Sequence, residues 1–449
     1  MNENDELVVS IEKMSNLGTG IAKVDGQVVF VENACPQDQV KVKITKVNKN
    51  FATAKTIEVI TPSPHRVKPF CAMQKVCGAC QFQFIDYDYQ LQLKKQIVED
   101  AMKNIGGIDT PVNNPVPSPD IKEYRHKIQY PVSQTKVSGR ILAGYYKPQS
   151  HEIVNIKHCP IQPEICDDII DFIRTKAFDY GITGFNEKKH SGDLRHIVIR
   201  SSYATGKCLV TLVVNSTKTF ERLNDFAKCI YEEFKEVTGV CVNFNSKKTN
   251  VILSEKTECI CGKDFVKERI LDKTFRIGPN TFFQVNPKSA ENIFKYVKDY
   301  LQENFDNPTV LDAYAGVTSF GISVCDNCKQ VVSVEENKEA VNLASEIIKL
   351  NNIENVEIHN MDAAKFFQKT KRKFDAVILD PPRKGCSKES LDEAYRLSKN
   401  KIIYVSCNPA TLARDLKYLK EKGCTIESIQ PFDMFCHTYH IENVVIISR

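Results

Sequence analysis

The 449-residue sequence predicts an α/β protein: a doubly wound parallel sheet, preceded by a small β-barrel and a central α+β domain. Three observations carry this. From about residue 271 the short strands TVLDAY, QVVSVE, VEIHNMD, FDAVILD, KIIYVSC and NVVIISR alternate with helical stretches such as 288–303 and 337–350. That alternation is the signature of parallel strands with helices packed on both faces. Residues 6–60 hold only short β-branched runs, with Gly18, Gly20, Gly26 and Pro36-Gln37-Asp38 marking turns, which suits a barrel of the oligonucleotide-binding kind. Between the two, strand and helix patterns are mixed.

The barrel, residues 1–62, reads as five runs: LVVSIEKM, GIAKV, QVVFVE, DQVKVKITKV and ATAKTIEVI. Lys41 and Lys43 alternate with Val42 and Ile44, so both lysines share the outer face, either simply solvated or turned to RNA. Thr61-Pro62-Ser63-Pro64 reads as a linker into the central domain, residues 63–270. There PFCAMQKVCGACQFQ sets Cys71, Cys77 and Cys80 in C-x5-C-x2-C spacing within an aperiodic loop. Three thiols so close suit a soft metal centre; with Cys159 of KHCPIQ as fourth ligand, either a cubane iron–sulfur cluster or a zinc site fits. Cys259-x-Cys261 and Cys325-x2-Cys328 have no partner pair and read as structural. Helices are expected over Tyr87 to Ile105, 164–177 and 219–236, and strands at YRHKIQYPV, ILAGYYK, HIVIRSS and CLVTLVVN. Arg125, His126 and Lys127 beside Tyr124 and Tyr130 form either a surface on which unpaired bases stack or an ordinary amphipathic strand.

Composition narrows the class. Hydrophobic content of 42% with 26% charged residues fits a soluble globular chain. No apolar run reaches a membrane span, and the first residues lack the basic-then-apolar order of a secretion signal, so a cytoplasmic setting is expected. A net charge of +5 permits RNA binding without requiring it. Seventeen cysteines, an odd number, favour free thiols, metal ligands or a nucleophile over a disulfide framework.

The third domain, residues 271–449, carries the chemistry. In KIIYVSCNPATLARDL a strand runs into Cys407, Asn408 suits a helix N-cap and Pro409 the first helical turn. Cys407 thus stands at a strand's carboxyl end facing a helix N-terminus, where ligands bind in open α/β sheets and where a thiolate is favoured. In LDAYAGVTSFGI, Gly316 and Gly321 loosen a strand-to-helix turn, and Glu335 ends the next strand, 23 residues after Asp312. A carboxylate at that separation bonds ribose hydroxyls. No phosphate-loop Lys-Ser/Thr follows and the full G-x-G-x-x-G is missing, which favours S-adenosylmethionine over a dinucleotide. In FDAVILDPPRKG, Asp380 ends a strand that Pro381-Pro382 stops, suited to holding a planar base or the donor's amine. Glu442 precedes the last apolar run. His437 and His440 lack a third ligand and read as non-metal.

Together LDPPRKG, SCNPATLARDL, FFQVNP, HIENVV and the spaced cysteines resemble the RNA uracil-C5 methyltransferases of the TrmA family, and within it the Gram-positive 23S rRNA enzymes. The resemblance implies a Rossmann-like class I methyltransferase domain behind a TRAM barrel, and methylation of uridine C5 in 23S rRNA or, alternatively, tRNA. It implies Cys407 as nucleophile and Glu442 as general base, and Gln284, Tyr314, Glu335 and Asp380 as S-adenosylmethionine-binding positions. It further implies Cys71, Cys77, Cys80 and Cys159 as ligands of a 4Fe–4S cluster, and a monomer with no membrane partner. One departure is Ala315-Gly316-Val317-Thr318, where relatives usually show Cys-Gly-x-Gly, which opens the geometry of the donor loop to question. Cytosine as target and a non-catalytic RNA-binding iron–sulfur protein are the competing readings.

Overall fold

The computed structural model describes residues 1–449. In chain order the barrel strands are β1 (Glu6–Ser10), β2 (Lys13–Met14), β3 (Gly20–Val24), β4 (Gln27–Glu32), β5 (Gln39–Val47) and β6 (Phe51–Thr61), followed by α1 (Tyr87–Ala101). Next come β7 (Lys127–Gln134), β8 (Ile141–Ala143), α2 (Glu164–Lys176), β9 (Leu194–Ser201), β10 (Cys208–Val214), α3 (Glu221–Glu233), β11 (Val237–Phe244) and β12 (Thr257–Gly262). A hairpin of β13 (Val266–Ile270) and β14 (Lys273–Ile277) leads into α4 (Pro287–Asn304). The remainder is β15 (Thr309–Ala313), α5 (Ser319–Val324), β16 (Gln330–Glu335), α6 (Lys338–Leu350), β17 (Val356–Asn360), α7 (Ala363–Lys369) and β18 (Phe374–Leu379). It closes with α8 (Lys388–Leu397), β19 (Ser398–Ser406), α9 (Pro409–Glu421), β20 (Thr425–Phe432) and β21 (Glu442–Ser448). No helix is long and apolar enough to cross a membrane.

The chain forms two compact units, both discontinuous in sequence. One joins Met1–Ser118 to Arg383–Gly385 and Ser406–Val445; the other joins Pro119–Pro382 to Cys386–Val405 and Ile446–Arg449.

In the first unit the barrel strands follow the order β1-β5-β6-β4-β3-β2. LVVSIEKM makes two strands rather than one, so there are six. Along β5, Val40, Val42 and Ile44 point into a core with Val29, Val31, Ala52 and Ala54, while Lys41 and Lys43 lie on the other face, as the alternation predicts. Lys41 pairs there with Glu6 at 2.7 Å. The expected linker is tied down. The buried Asp38 carboxylate accepts from Ser63 N at 2.8 Å and from Arg66 Nε and Nη2 at 2.8 and 2.7 Å. Asp86 caps α1 through Tyr89 N at 2.9 Å, and the inward face of the helix holds Leu93, Ile97 and Val98 together with two polar residues, Gln90 and Lys94.

In the second unit a six-stranded sheet has the order β12-β11-β10-β9-β7-β8. Strand β7 begins at Lys127, so Tyr124, Arg125 and His126 precede it. Tyr124 and Tyr130 are buried, and the Tyr130 hydroxyl donates to Gln162 Oε1 at 3.2 Å. These rings are core and offer no face to a base. Tyr203, edge-on to His126, is 52% exposed, with the Lys288 ammonium 4.1 Å above its ring centre. It lines a cavity of about 470 Å³ with His126 and Lys288 that contains none of the expected catalytic, donor-binding or metal residues.

The seven-stranded sheet runs β17-β16-β15-β18-β19-β21-β20. Strands β15 to β19 pair in parallel; β15, β16 and β18 are buried on both faces, hence their apolar runs, while the edge strand β17 is only half-buried. TIESIQPF, which forms β20, contains Pro431 and lies at the sheet's edge, where a strand tolerates proline. Its proline hid it from sequence reading.

Candidate active site

The parallel register fixes one edge. Ala313 pairs with Val334 and with Leu379, so Tyr314, Glu335 and Asp380 emerge together at the carboxyl ends of β15, β16 and β18. Leu379 in turn pairs with Tyr404, so β19 runs out at the same edge. Glu335 is held by two backbone amides: Gly316 N donates to Oε2 and Asn337 N to Oε1, each at 2.8 Å. Burial raises the Tyr314 hydroxyl pKa well above the phenolic range and pushes the Asp380 carboxyl up to about 7. Burial also pushes Asp312 up to about 7, although Gly321 N at 2.9 Å partly offsets it. In the sequence Asp312 stands out only by its separation from Glu335. Its carboxylate ties the turn to the strand, with one oxygen, Oδ1, left without a hydrogen-bond partner. Gln284 lies in the loop before α4 rather than at the end of a sheet strand. Beside it Phe282, 65% exposed, is an open ring that the sequence does not single out.

The donor turn itself is left-handed at three residues, with φ of 62° at Tyr314, 56° at Gly316 and 62° at Thr318. Nothing stands within 4 Å of a Cβ built on Gly316, so the turn is open there to a ligand. Thr318 is fully buried, its Oγ1 has no partner, and it begins α5. A β-branched residue in this region costs about 1–2 kcal/mol, and an unsatisfied hydroxyl adds to that. Thr318→Gly should therefore raise stability by about 1 kcal/mol after the entropy of an extra glycine is subtracted. A lowered urea midpoint would refute this.

In the first unit Asn408 caps α9, its Oδ1 accepting from Ala410 N at 3.1 Å, with Pro409 as the first helical residue. Cys407, half-buried, is thus the last residue before the cap, as the sequence predicts. Asn408 Nδ2 and Thr411 Oγ1 donate to Arg383 O at 3.3 and 3.1 Å, holding the segment that follows Pro382 onto the same helix end. Glu442 is the first residue of β21 and only 8% exposed, not a solvated carboxylate. Asn443 Nδ2 donates to Ser406 O at 3.3 Å. Cys407 and Glu442 are the chain neighbours of Ser406 and Asn443, the two members of that bonded pair.

The expected four-cysteine site is not shown by the structure. No three His, Cys, Asp or Glu side chains are gathered so as to hold a metal ion. Cys71, Cys77 and Cys80 belong to the first unit and Cys159 to the second. The Cys77 thiol is raised first by burial, with nearby Cys71 adding to it. Cys159 is buried, its N–H bonded to Asp167 at 2.9 Å. The residues as placed do not form the expected 4Fe–4S site, and no chemistry is drawn through one.

A sheet of this strand order is that of a class I S-adenosylmethionine-dependent methyltransferase fold. Residues 228–449 match the family described as tRNA (Uracil-5-)-methyltransferase, and residues 2–57 match the TRAM domain. An RNA methyltransferase of Oceanobacillus iheyensis is 36% identical over 99% of this chain and 96% of its own length. One of Bacillus cereus is 37% identical over 99% and 97%. The crystal structure of Pyrococcus abyssi tRNA (uracil-54, C5)-methyltransferase with S-adenosyl-L-homocysteine superposes with a TM-score of 0.80 and 28% identity, covering 98% of this chain and 99% of that one. The chain belongs to the RNA uracil-5-methyltransferase family.

Proposed function

We propose that this protein methylates C5 of uridine in RNA through a covalent adduct on Cys407, with 23S rRNA as its target. The observation that carries the mechanism is the bonded Asn443–Ser406 pair flanked by Glu442 and Cys407. Uracil C5 is a poor nucleophile. Addition of the Cys407 thiolate to C6 breaks the C5–C6 π bond and places enolate density on C5. The N-terminus of α9 favours the negative charge on that sulfur before attack. When bound, S-adenosylmethionine would supply the methyl group to C5, its S–CH3 bond pair returning to sulfur to leave S-adenosyl-L-homocysteine. Glu442 then takes the C5 proton, the C–H electron pair restores the C5–C6 double bond, and the C6–S bond breaks to return the thiolate. The target base must leave its stack to reach the sulfur.

The donor set fits. Glu335, oriented by two amides, suits ribose hydroxyls, the open turn at Gly316 admits a ligand close to backbone, and Gln284 and Tyr314 complete the proposed contacts. Asp380 suits an ammonium, since burial alone holds its carboxyl at about 7. In the unliganded protein the carboxyl keeps its proton while the unfolded chain loses it, so this group lowers stability as pH rises from about 4 to 7. A cationic ligand needs the charged form. Donor affinity should therefore rise roughly tenfold from about pH 6 to about pH 8 and level off, and Asp380→Asn should flatten the profile. A flat wild-type profile in calorimetry would exclude Asp380 as the amine's partner.

A tRNA target is the second reading, favoured by the full-length likeness to a tRNA (uracil-54, C5)-methyltransferase. On either reading residues 1–62 and 63–270 shape the RNA choice, and 271–449 carry the reaction. Mapping 5-methyluridine in rRNA and tRNA from cells with and without the gene tests both. Loss of a single 23S site supports the first, loss in tRNA the second, and no change in either refutes uridine methylation.

A further inference from the structure

The segment leading into Glu442 contains a strained residue. His437 has φ of 62° and is 2% exposed. A non-glycine residue stays in that region only where its surroundings over-determine it. Here they do. His437 O accepts from both Gln81 N and Phe82 N at 2.8 Å. His437 N donates to Gln90 Oε1 at 3.1 Å, and Gln90 Nε2 stands 3.2 Å from His437 Nδ1. The same Gln90 amide donates to Phe82 O and Ile85 O at 3.1 and 2.8 Å, so one buried side chain on α1 grips both the loop 81–85 and His437. Two residues on, Tyr439 packs against Met14 and Cys35 of the barrel region, with Phe82, Phe84 and Leu93. The fit is close: a Cβ at Gly18 would stand 2.8 Å from Tyr439 Cδ1.

We propose that Gln90 is a positioning residue for Glu442. It fixes the strained His437 and so sets where the following segment delivers the carboxylate, while the barrel wedges the same segment through Tyr439. This gives the N-terminal barrel a role in the reaction besides any contact with RNA. The inference rests on the reading of Glu442 as the base that removes the C5 proton.

That step comes after methyl transfer, so a misplaced carboxylate has a signature that general damage lacks. The full-length protein is incubated with RNA substrate and S-adenosylmethionine labelled in the methyl group, and label in the covalent protein–RNA adduct is read on a denaturing gel. Gln90→Leu should lower turnover by 10-fold to 100-fold, with donor affinity and RNA KM within about twofold of wild type. Labelled adduct should accumulate, as it should with Glu442→Gln. If Gln90→Leu folds and loses adduct and turnover in parallel, or loses neither, the positioning role is overturned. If Glu442→Gln itself accumulates no adduct, the assignment of Glu442 falls instead. Tyr439→Ala keeps the hydrogen bonds and removes only the barrel wedge. It should show the same split more weakly, and it decides the matter should Gln90→Leu not fold.

Discussion

Cys407→Ala should abolish methyl transfer, by a factor on the order of 10⁴ or more, while S-adenosylmethionine still binds within about twofold of wild type. The size follows from the chemistry. Without addition at C6 the reacting carbon never becomes an enolate, and no other group in the proposed mechanism can replace a covalent nucleophile. The selectivity follows from the fold. Cys407 is half-buried and precedes the cap rather than making it, because Asn408 Oδ1 holds Ala410 N. The helix end therefore survives the substitution, and the expected stability loss is under about 1 kcal/mol. Serine in place of cysteine should fail too, since a hydroxyl is a far weaker nucleophile at neutral pH. RNA carrying 5-fluorouridine at the target gives a second readout. Fluorine cannot leave as a proton does, so the wild-type protein should retain a covalent adduct on a denaturing gel and Cys407→Ala should give none. Methyl transfer surviving in the alanine variant would eliminate the thiolate route.

The doubly wound sheet was legible because strands buried on both faces carry unbroken apolar runs. Cys407 was legible because a strand end, an N-cap asparagine and a first-turn proline are all local signals. The environment of Glu442 was not. Glu442 is 8% exposed beside Asn443, whose amide reaches Ser406 O, a partner that no residue near it in sequence encodes. Tyr124 and Tyr130 misled for the same reason. Alternation with basic residues looks alike whether the rings face RNA or a core, and only the partner sheet residues decide. Thr318 was legible as a departure but not as strain, because a left-handed φ belongs to the turn and not to the residue. Polar residues on the inward face of α1 were the least legible. Gln90 and Lys94 break the apolar stripe of that helix, and each reaches a partner more than three hundred residues away.

Lys94 is where that illegible pairing should have its largest effect on stability. Its ammonium is fully buried, 2.6 Å from an equally buried Asp433 carboxylate, and it also donates to Phe435 O at 2.9 Å. Asp433 Oδ2 takes a further bond from the Tyr87 hydroxyl at 2.9 Å, which itself accepts from Ser118 N at 2.9 Å. Two charges out of water are stable only as a satisfied pair, so removing one strands the other. Lys94→Met should therefore cost about 3–5 kcal/mol, a large share of the 5–15 kcal/mol typical of a folded protein. The double variant Lys94→Met, Asp433→Leu removes both charges and should recover most of that loss, because apolar side chains of similar volume replace a buried pair at little net cost. The coupling between the two sites is thus expected to be large and favourable. The chain has no tryptophan, so far-UV circular dichroism in urea is the suitable probe. If Lys94→Met alone were as stable as wild type, or if the double variant lost the sum of the two single losses, the pair would not be what anchors the segment before Glu442 to α1.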